Sequence, residues 1–219
     1  MHTLITDVDN TIADTRKRME RSLSEIGRGG VFEGTREEFG GFHKFLSEDE
    51  LDRLWRVFLS DKYVHLDRPE PDSARVLNGL VQRGIKLIYL TGRHDEGGDT
   101  MRPGTEEWLR EHGFPVPGEG DVRLLMKPER RADDKVFKLR ELRGLNRETN
   151  RDEARRIVGI GDMPDDASAY SQAGVEPILL DWLGLFSRDD LLNAADDVTV
   201  LNSWEEVESF VASRYLVYR

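Results

Sequence analysis

Two carboxylates one residue apart, Asp7 and Asp9, follow the short apolar run Leu4-Ile5-Thr6. Side chains alternate along an extended segment, so both project to one side of it. Like charges held that close repel, and one pKa rises unless a cation intervenes or one group keeps a proton. The pair therefore suits metal binding or proton transfer. An Asx-type turn is the structural alternative, because Asp and Asn favour turns. A second acidic set, Asp162, Asp165 and Asp166, follows another apolar run and Gly161. A helix cap needs one aspartate. Three hard oxygen donors suit magnesium, which is commonly held by one or two carboxylates with phosphate and water. Capping by Asp165 or Asp166 stays open beside that reading.

Thr91-Gly92-Arg93 follows the apolar segment Ile85-Lys86-Leu87-Ile88-Tyr89-Leu90. A hydroxyl and a glycine N–H can approach one phosphate group closely. Arg93 adds a planar, permanently charged donor suited to phosphate. A lysine is also expected, to neutralise a transferring phosphoryl group. Lys138 and Lys127 are the candidates. On a helix beginning near Asp133, Lys138 shares a face with Asp134 and Leu142. That face predicts a lysine along the sheet edge, with Asp134 able to orient it. Lys127, just past a strand, could also reach.

Positioning these residues requires strands that end where they begin. The pattern predicts strands over Leu4–Thr6, Ile85–Leu90, Val122–Met126, Arg156–Ile160 and Pro177–Leu180, with a further short strand over Val198–Val200. Helices are expected from Asp72, which caps, to Gly84; from Thr105 to His112; from Asp133 to Arg143; from Asp166 to Ala173; and after Ser203, with Glu206 three residues on. Strands alternating with helices predict an α/β fold, a Rossmann-like parallel sheet with helices on both faces. In such sheets ligands bind beyond the carboxyl ends of strands, at a topological switch point. The candidate residues fall there.

Residues 14 to 70 break the alternation. A locally basic helix from Asp14 to Arg28 carries Met19, Leu23 and Ile26 on one face, with Arg16, Lys17, Arg18 and Arg21 exposed or near it. Phe39, Phe42, Phe45 and Leu46 suggest a second, glycine-weakened helix. Ser47 and Glu50 form a capping box before a third, whose apolar face holds Leu51, Leu54, Trp55, Phe58 and Leu59. The expected division is a core of 1–13 and 71–219 with a helical cap insertion over 14–70. The insertion should sit over the carboxyl ends of the strands, its basic residues drawing in an anionic substrate.

The chain has 219 residues, no cysteine and a formal net charge of −11. One core plus an insertion suits that length. Disulfide frameworks and thiolate metal sites are excluded. The net charge disfavours stable binding to nucleic acid or anionic membrane. No apolar run could cross a bilayer, and a cytoplasmic protein without a membrane partner is expected. Nothing in the sequence speaks to oligomeric state.

The ordered set of an aspartate pair, Thr-Gly-Arg, a lysine, and Gly-Asp with further aspartates resembles the haloacid dehalogenase superfamily of phosphohydrolases, from Leu4 to about Leu180. Dehalogenases proper lack the second acid of the first motif, so Asp9 points to phosphate chemistry. The resemblance implies Asp7 as nucleophile forming an aspartyl-phosphate, and Asp9 as general acid and base. It implies Mg²⁺ on Asp7, the Asp9 backbone carbonyl and Asp162, with Asp166 in support. Thr91, Gly92 and the lysine would grip the phosphoryl oxygens. Thr91-Gly92-Arg93, Thr105, Trp108, Leu124-Leu125-Met126, Asp133-Asp134 and Val136-Phe137-Lys138 also resemble the phosphatase domain of phage polynucleotide kinase-phosphatases. That likeness favours Lys138 over Lys127 and gives Arg93 a substrate-phosphate role, but the acidic surface and the insertion depart from it. The expected activity is Mg²⁺-dependent hydrolysis of a small phosphorylated metabolite or nucleotide. The alternatives are a nucleic-acid 3′-end phosphatase and a noncatalytic phosphate-binding protein on the same fold.

Overall fold

The computed structural model describes residues 2–31, 41–98, 100–148, 157–181 and 197–215. Phe39 and Arg156, expected in a helix and a strand, lie outside them. Strand β1 (Thr3–Thr6) opens the chain, and the two-residue β2 (Ala13–Asp14) leads into α1 (Arg16–Glu25). A 3₁₀ turn at Phe42–Phe45 precedes α2 (Glu48–Phe58). The capping box forms as the sequence predicts: the Glu50 N–H donates to Ser47 Oγ, and the Ser47 N–H donates to the Glu50 carboxylate. A second 3₁₀ segment, Asp61–Leu66, runs into β3 (Arg68–Pro69).

After β3 the alternation is regular: α3 (Ser73–Gln82), β4 (Lys86–His94), α4 (Arg102–Glu111), β5 (Val122–Lys127) and α5 (Asp134–Glu148). Then come β6 (Ile157–Gly161), α6 (Pro164–Gln172), β7 (Glu176–Leu180), β8 (Thr199–Leu201) and α7 (Trp204–Tyr215). Six strands form one parallel sheet in the order β5-β4-β1-β6-β7-β8. β1 sits between β4 and β6, so chain order reverses across it, and its carboxyl end is the switch point.

Each face of the sheet carries its own core. One joins Leu4, Leu87 and Tyr89 to Val76, Leu77 and Leu80 of α3, Trp108 of α4 and Trp204 of α7. The other joins Ile5, Ile88 and Leu90 to Phe137 and Leu142 of α5 and Tyr170 of α6. Contact on this second face is close: a Cβ on Gly159 would lie 2.4 Å from the Tyr170 ring. Met19 and Leu23 of α1 pack on Leu54 and Phe58 of α2 in a third cluster. The segment bearing it leaves the core along β2 and returns along antiparallel β3.

Two local expectations change. β4 does not end at Leu90 but continues through Thr91, Gly92 and Arg93 to His94, because pairing with β5 persists across a register shift between Thr91 and His94. Asp72 occupies the N-cap position of α3 without capping it. Its backbone is left-handed, at φ 62°, and its carboxylate accepts from Arg75 Nε at 2.8 Å instead.

Candidate active site

Asp7 lies just beyond β1, its N–H donating to Ile160 O across the sheet at 2.9 Å. Its carboxylate accepts from the Val8 N–H at 2.8 Å and from Lys138 Nζ at 3.0 Å. Lys138 also donates to Asp166 Oδ1 at 2.6 Å and stands 3.4 Å from Asp134. The expected i−4 pair with Asp134 is present. α5 packs beside α6 and against β4 and β5, which brings the lysine to Asp7 at the carboxyl end of β1. Lys127 is also nearly buried, but its ammonium donates to Ala132 O at 3.1 Å.

Gly161 makes room for this cluster, since a Cβ there would lie 2.5 Å from Asp166 Cβ. Asp166 in turn accepts from the Met163 N–H at 3.3 Å, so it bonds the start of α6 as well as Lys138. Asp165 points elsewhere and pairs with Lys135 at 2.9 Å. Asp162 accepts from Thr11 Oγ1 at 3.2 Å. Asp7, Asp162 and Asp166 each bring an oxygen within 4.8 Å of the others. Burial pushes the Asp7 carboxyl up to about 7 against the pull of Lys138. Burial, then Asp166 and Asp7, raise Asp162 well above the usual carboxylate range. Three desolvated carboxylates facing one ammonium form a hard-oxygen set with an excess of negative charge, and they fit a divalent cation.

Asp9 belongs to a different network. Its Oδ1 accepts from Arg18 Nη2 at 2.5 Å and from Arg93 Nη2 and Nε at 2.6 and 3.0 Å. Arg93 Nη2 also donates to Asp67 Oδ2 at 2.7 Å, and Arg93 Nη1 to Thr105 Oγ1 at 3.1 Å. Arg18 Nε stands 3.0 Å from Asp67 Oδ1 but out of line for a hydrogen bond, so that contact is ionic. The Asp67 backbone carbonyl accepts from Trp108 Nε1 at 3.1 Å. Burial alone would raise the Asp9 carboxyl, but Arg18 and then Arg93 outweigh it and hold it down at about 2.

Arg18 and Arg93 are therefore fully buried. Arg18 was expected to be exposed or near the apolar face of its helix, and to draw in an anionic substrate; it is buried and bound to Asp9 and Asp67 instead. It lies in the stripe of Met19, Ser22 and Leu23, where Phe58 stacks 4.2 Å from its guanidinium. Arg93, expected on a substrate phosphate, turns its guanidinium onto Asp9 and Asp67 because the extension of β4 carries it behind the acidic cluster. Thr91 is buried, with its hydroxyl accepting from the Arg93 N–H at 3.2 Å. Gly92 lies beside Asp134, 2.7 Å from Asp134 Oδ1 for an added Cβ, and faces the pocket.

That pocket, about 490 Å³, is lined by Asp7, Asp9, Gly92 and Lys127 from the core and by Asp52, Trp55 and Leu59 from α2 and its end. Arg131 at its rim stands 3.5 Å from Asp52. Trp55 is 39% exposed here, with its indole edge-on to the Phe58 ring at 5.7 Å between centroids. Sequence reasoning missed Asp67, Trp55 and Arg131 as site residues, and gave Arg18 a substrate-attracting role rather than one beside Asp9. Arg18 had a signal in its place within the apolar stripe of α1. Asp67 had none, because it reads as part of a proline-containing connector.

The chain has the haloacid dehalogenase-like fold, as its likeness to solved structures shows. Among solved structures it resembles a haloacid dehalogenase-like family hydrolase from Streptococcus pneumoniae, with TM-score 0.67 and 16% identity over 96% of this chain and 98% of that one. It also resembles CbbY from Rhodobacter sphaeroides in complex with phosphate, with TM-score 0.57 and 19% identity over 94% and 96% of the two chains. A variant of CbbY is known in complex with xylulose-1,5-bisphosphate. A Bacillus cereus protein described as a "putative nucleotidase" is 28% identical over 119 residues, which span 50% of this chain and 58% of that protein. No family model matches the chain. Among the described residues no helix is long and apolar enough to cross a membrane.

Proposed function

We propose that the chain is a divalent-metal-dependent phosphomonoesterase working through an aspartyl-phosphate. The carrying observation is the placement of Asp7: at the end of the central strand, open to the pocket, 3.0 Å from Lys138 and clustered with Asp162 and Asp166. An Asp7 oxygen attacks phosphorus and the bond to the leaving oxygen breaks. Water then attacks the acyl phosphate, giving inorganic phosphate and free Asp7. Lys138 holds Asp7 in line and offsets charge on the phosphoryl oxygens. Asp7, Asp162, Asp166 and the Asp9 carbonyl would hold Mg²⁺, which supplies further charge neutralisation when bound.

Asp9 lines the pocket beside Asp7, where it can pass a proton between the leaving oxygen and the attacking water. The two arginines favour its charged form, so taking up that proton costs free energy in both half-reactions. We assign Arg18, Arg93 and Asp67 as positioning residues that hold Asp9 in its pose. Residues 14–70 act as the cap, since α2 supplies part of the pocket wall.

Among small phosphomonoesters a nucleotide is favoured. Trp55 offers a part-exposed indole in the pocket, and the Bacillus cereus relative is described as a "putative nucleotidase". The test is phosphate release from a panel of nucleoside monophosphates and sugar phosphates with Mg²⁺. Beryllofluoride should trap on Asp7, and Asp7→Asn should be folded and inert. Turnover by Asp7→Asn, or an adduct on another residue, refutes the assignment.

A further inference from the structure

A second cavity, about 550 Å³, shares no lining residue with the pocket over Asp7. Its wall carries Lys17 and Arg21 from α1, Arg68 from β3, and the imidazoles of His65 and His112. Three stretches remote in sequence thus converge on one concavity. A solvated charge run on a single helix would not do this. The acids beside them are already engaged. Asp67 lies at the cavity with its carboxylate buried against Arg18 and Arg93, and Glu20 pairs with Lys17 at 2.9 Å. Arg21 keeps its charge over the Tyr63 ring, 5.5 Å from the centroid. His112 is fixed by its Nδ1, 2.9 Å from Trp108 O and donating to it. Local positive excess of this kind stands out on a chain of net charge −11.

We propose that this cavity binds a small phosphorylated anion, at a site separate from the one where esters are hydrolysed. Its volume suits one small ligand. The guanidinium forks of Arg21 from α1 and Arg68 from β3 can both address phosphate oxygens, with the Lys17 ammonium one helical turn before Arg21 on the same wall. The inference goes beyond the proposed phosphatase activity and does not depend on it.

The test uses the full chain in chelator, where the acidic cluster at Asp7 repels anions, with inorganic pyrophosphate as the calorimetric probe. One-to-one saturable binding is expected, weakened by about tenfold or more in the exposed pair variant Arg21→Ala/Arg68→Ala. Lys17→Glu alone should weaken it too, and Asp7→Asn should leave it intact. Absence of saturable binding overturns the proposal, as does binding indifferent to the arginine pair. Tighter binding in Asp7→Asn, which removes a repelling carboxylate, would move the anion to the catalytic cluster. An oligonucleotide that displaces pyrophosphate and binds more tightly than it does would overturn the small-ligand reading.

Discussion

The buried quartet of Asp9, Arg18, Asp67 and Arg93 makes a sharp prediction about stability. Two carboxylates and two guanidiniums are balanced in charge, and all but Asp9 have fully buried side chains. Arg18→Met removes one guanidinium of similar bulk and leaves two carboxylates sharing Arg93. Breaking a buried ion pair from one side costs about 3–5 kcal/mol. Asp9 is 19% exposed, so water relieves part of that and the expected loss is about 3 kcal/mol. A further fraction belongs to the contact with Phe58 and returns in no charge-based rescue. Asp67→Asn alone leaves an excess positive charge and should cost about 2 kcal/mol. The double variant restores balance around Asp9 and Arg93, so its loss should fall short of the sum by about 1.5 kcal/mol or more. Urea unfolding of all four proteins at constant m-value measures this. Additivity within about 0.5 kcal/mol would refute the view that the four groups act as one electrostatic unit.

The remaining predictions concern the acidic cluster and the pocket. Mg²⁺ should raise the melting temperature; Asp162→Asn should abolish that rise, whereas Asp165→Ala should keep it, as differential scanning calorimetry would show. Gly161→Ala should force Asp166 aside, cost about 1–3 kcal/mol by overpacking and blunt the Mg²⁺ effect. For Asp7 the folded carboxyl is raised to about 7 from 3.8, so the folded state holds the extra proton in between. Metal-free stability should therefore fall as pH rises from about 4 to about 7, and Asp7→Asn should flatten the slope; an equal slope in the variant would sink the assignment. Trp55→Ala should raise KM for a nucleotide by about tenfold while leaving a small chromogenic ester nearly unchanged, and equal effects on both would remove Trp55 from leaving-group recognition.

Much of the fold was legible because its signals are local. Apolar runs of strand length alternate with helical stripes, and that alternation dictates a parallel sheet. Asp7, Asp162 and Asp166 could be read as one cluster because strand ends in such a sheet share an edge. The reading of Lys138 over Lys127 rested on resemblance, and the structure brings Lys138 to Asp7 through the packing of α5 against α6.

The rest depended on partners far away in the chain. The sequence by itself placed a basic helix after the first motif. It could not say that Arg18 turns inward while Lys17 and Arg21 face another cavity, because that division depends on where α2 and the 3₁₀ segment pack. Arg93 has the composition of a phosphate ligand, yet extension of β4 by pairing with β5 carries its guanidinium onto Asp9 and Asp67. Asp9 kept its expected position but not its expected environment. Local sequence determined the order of strands, helices and acidic turns; tertiary packing decided which charges are neutralised, since electrostatic energy depends on distance and burial rather than on separation along the chain.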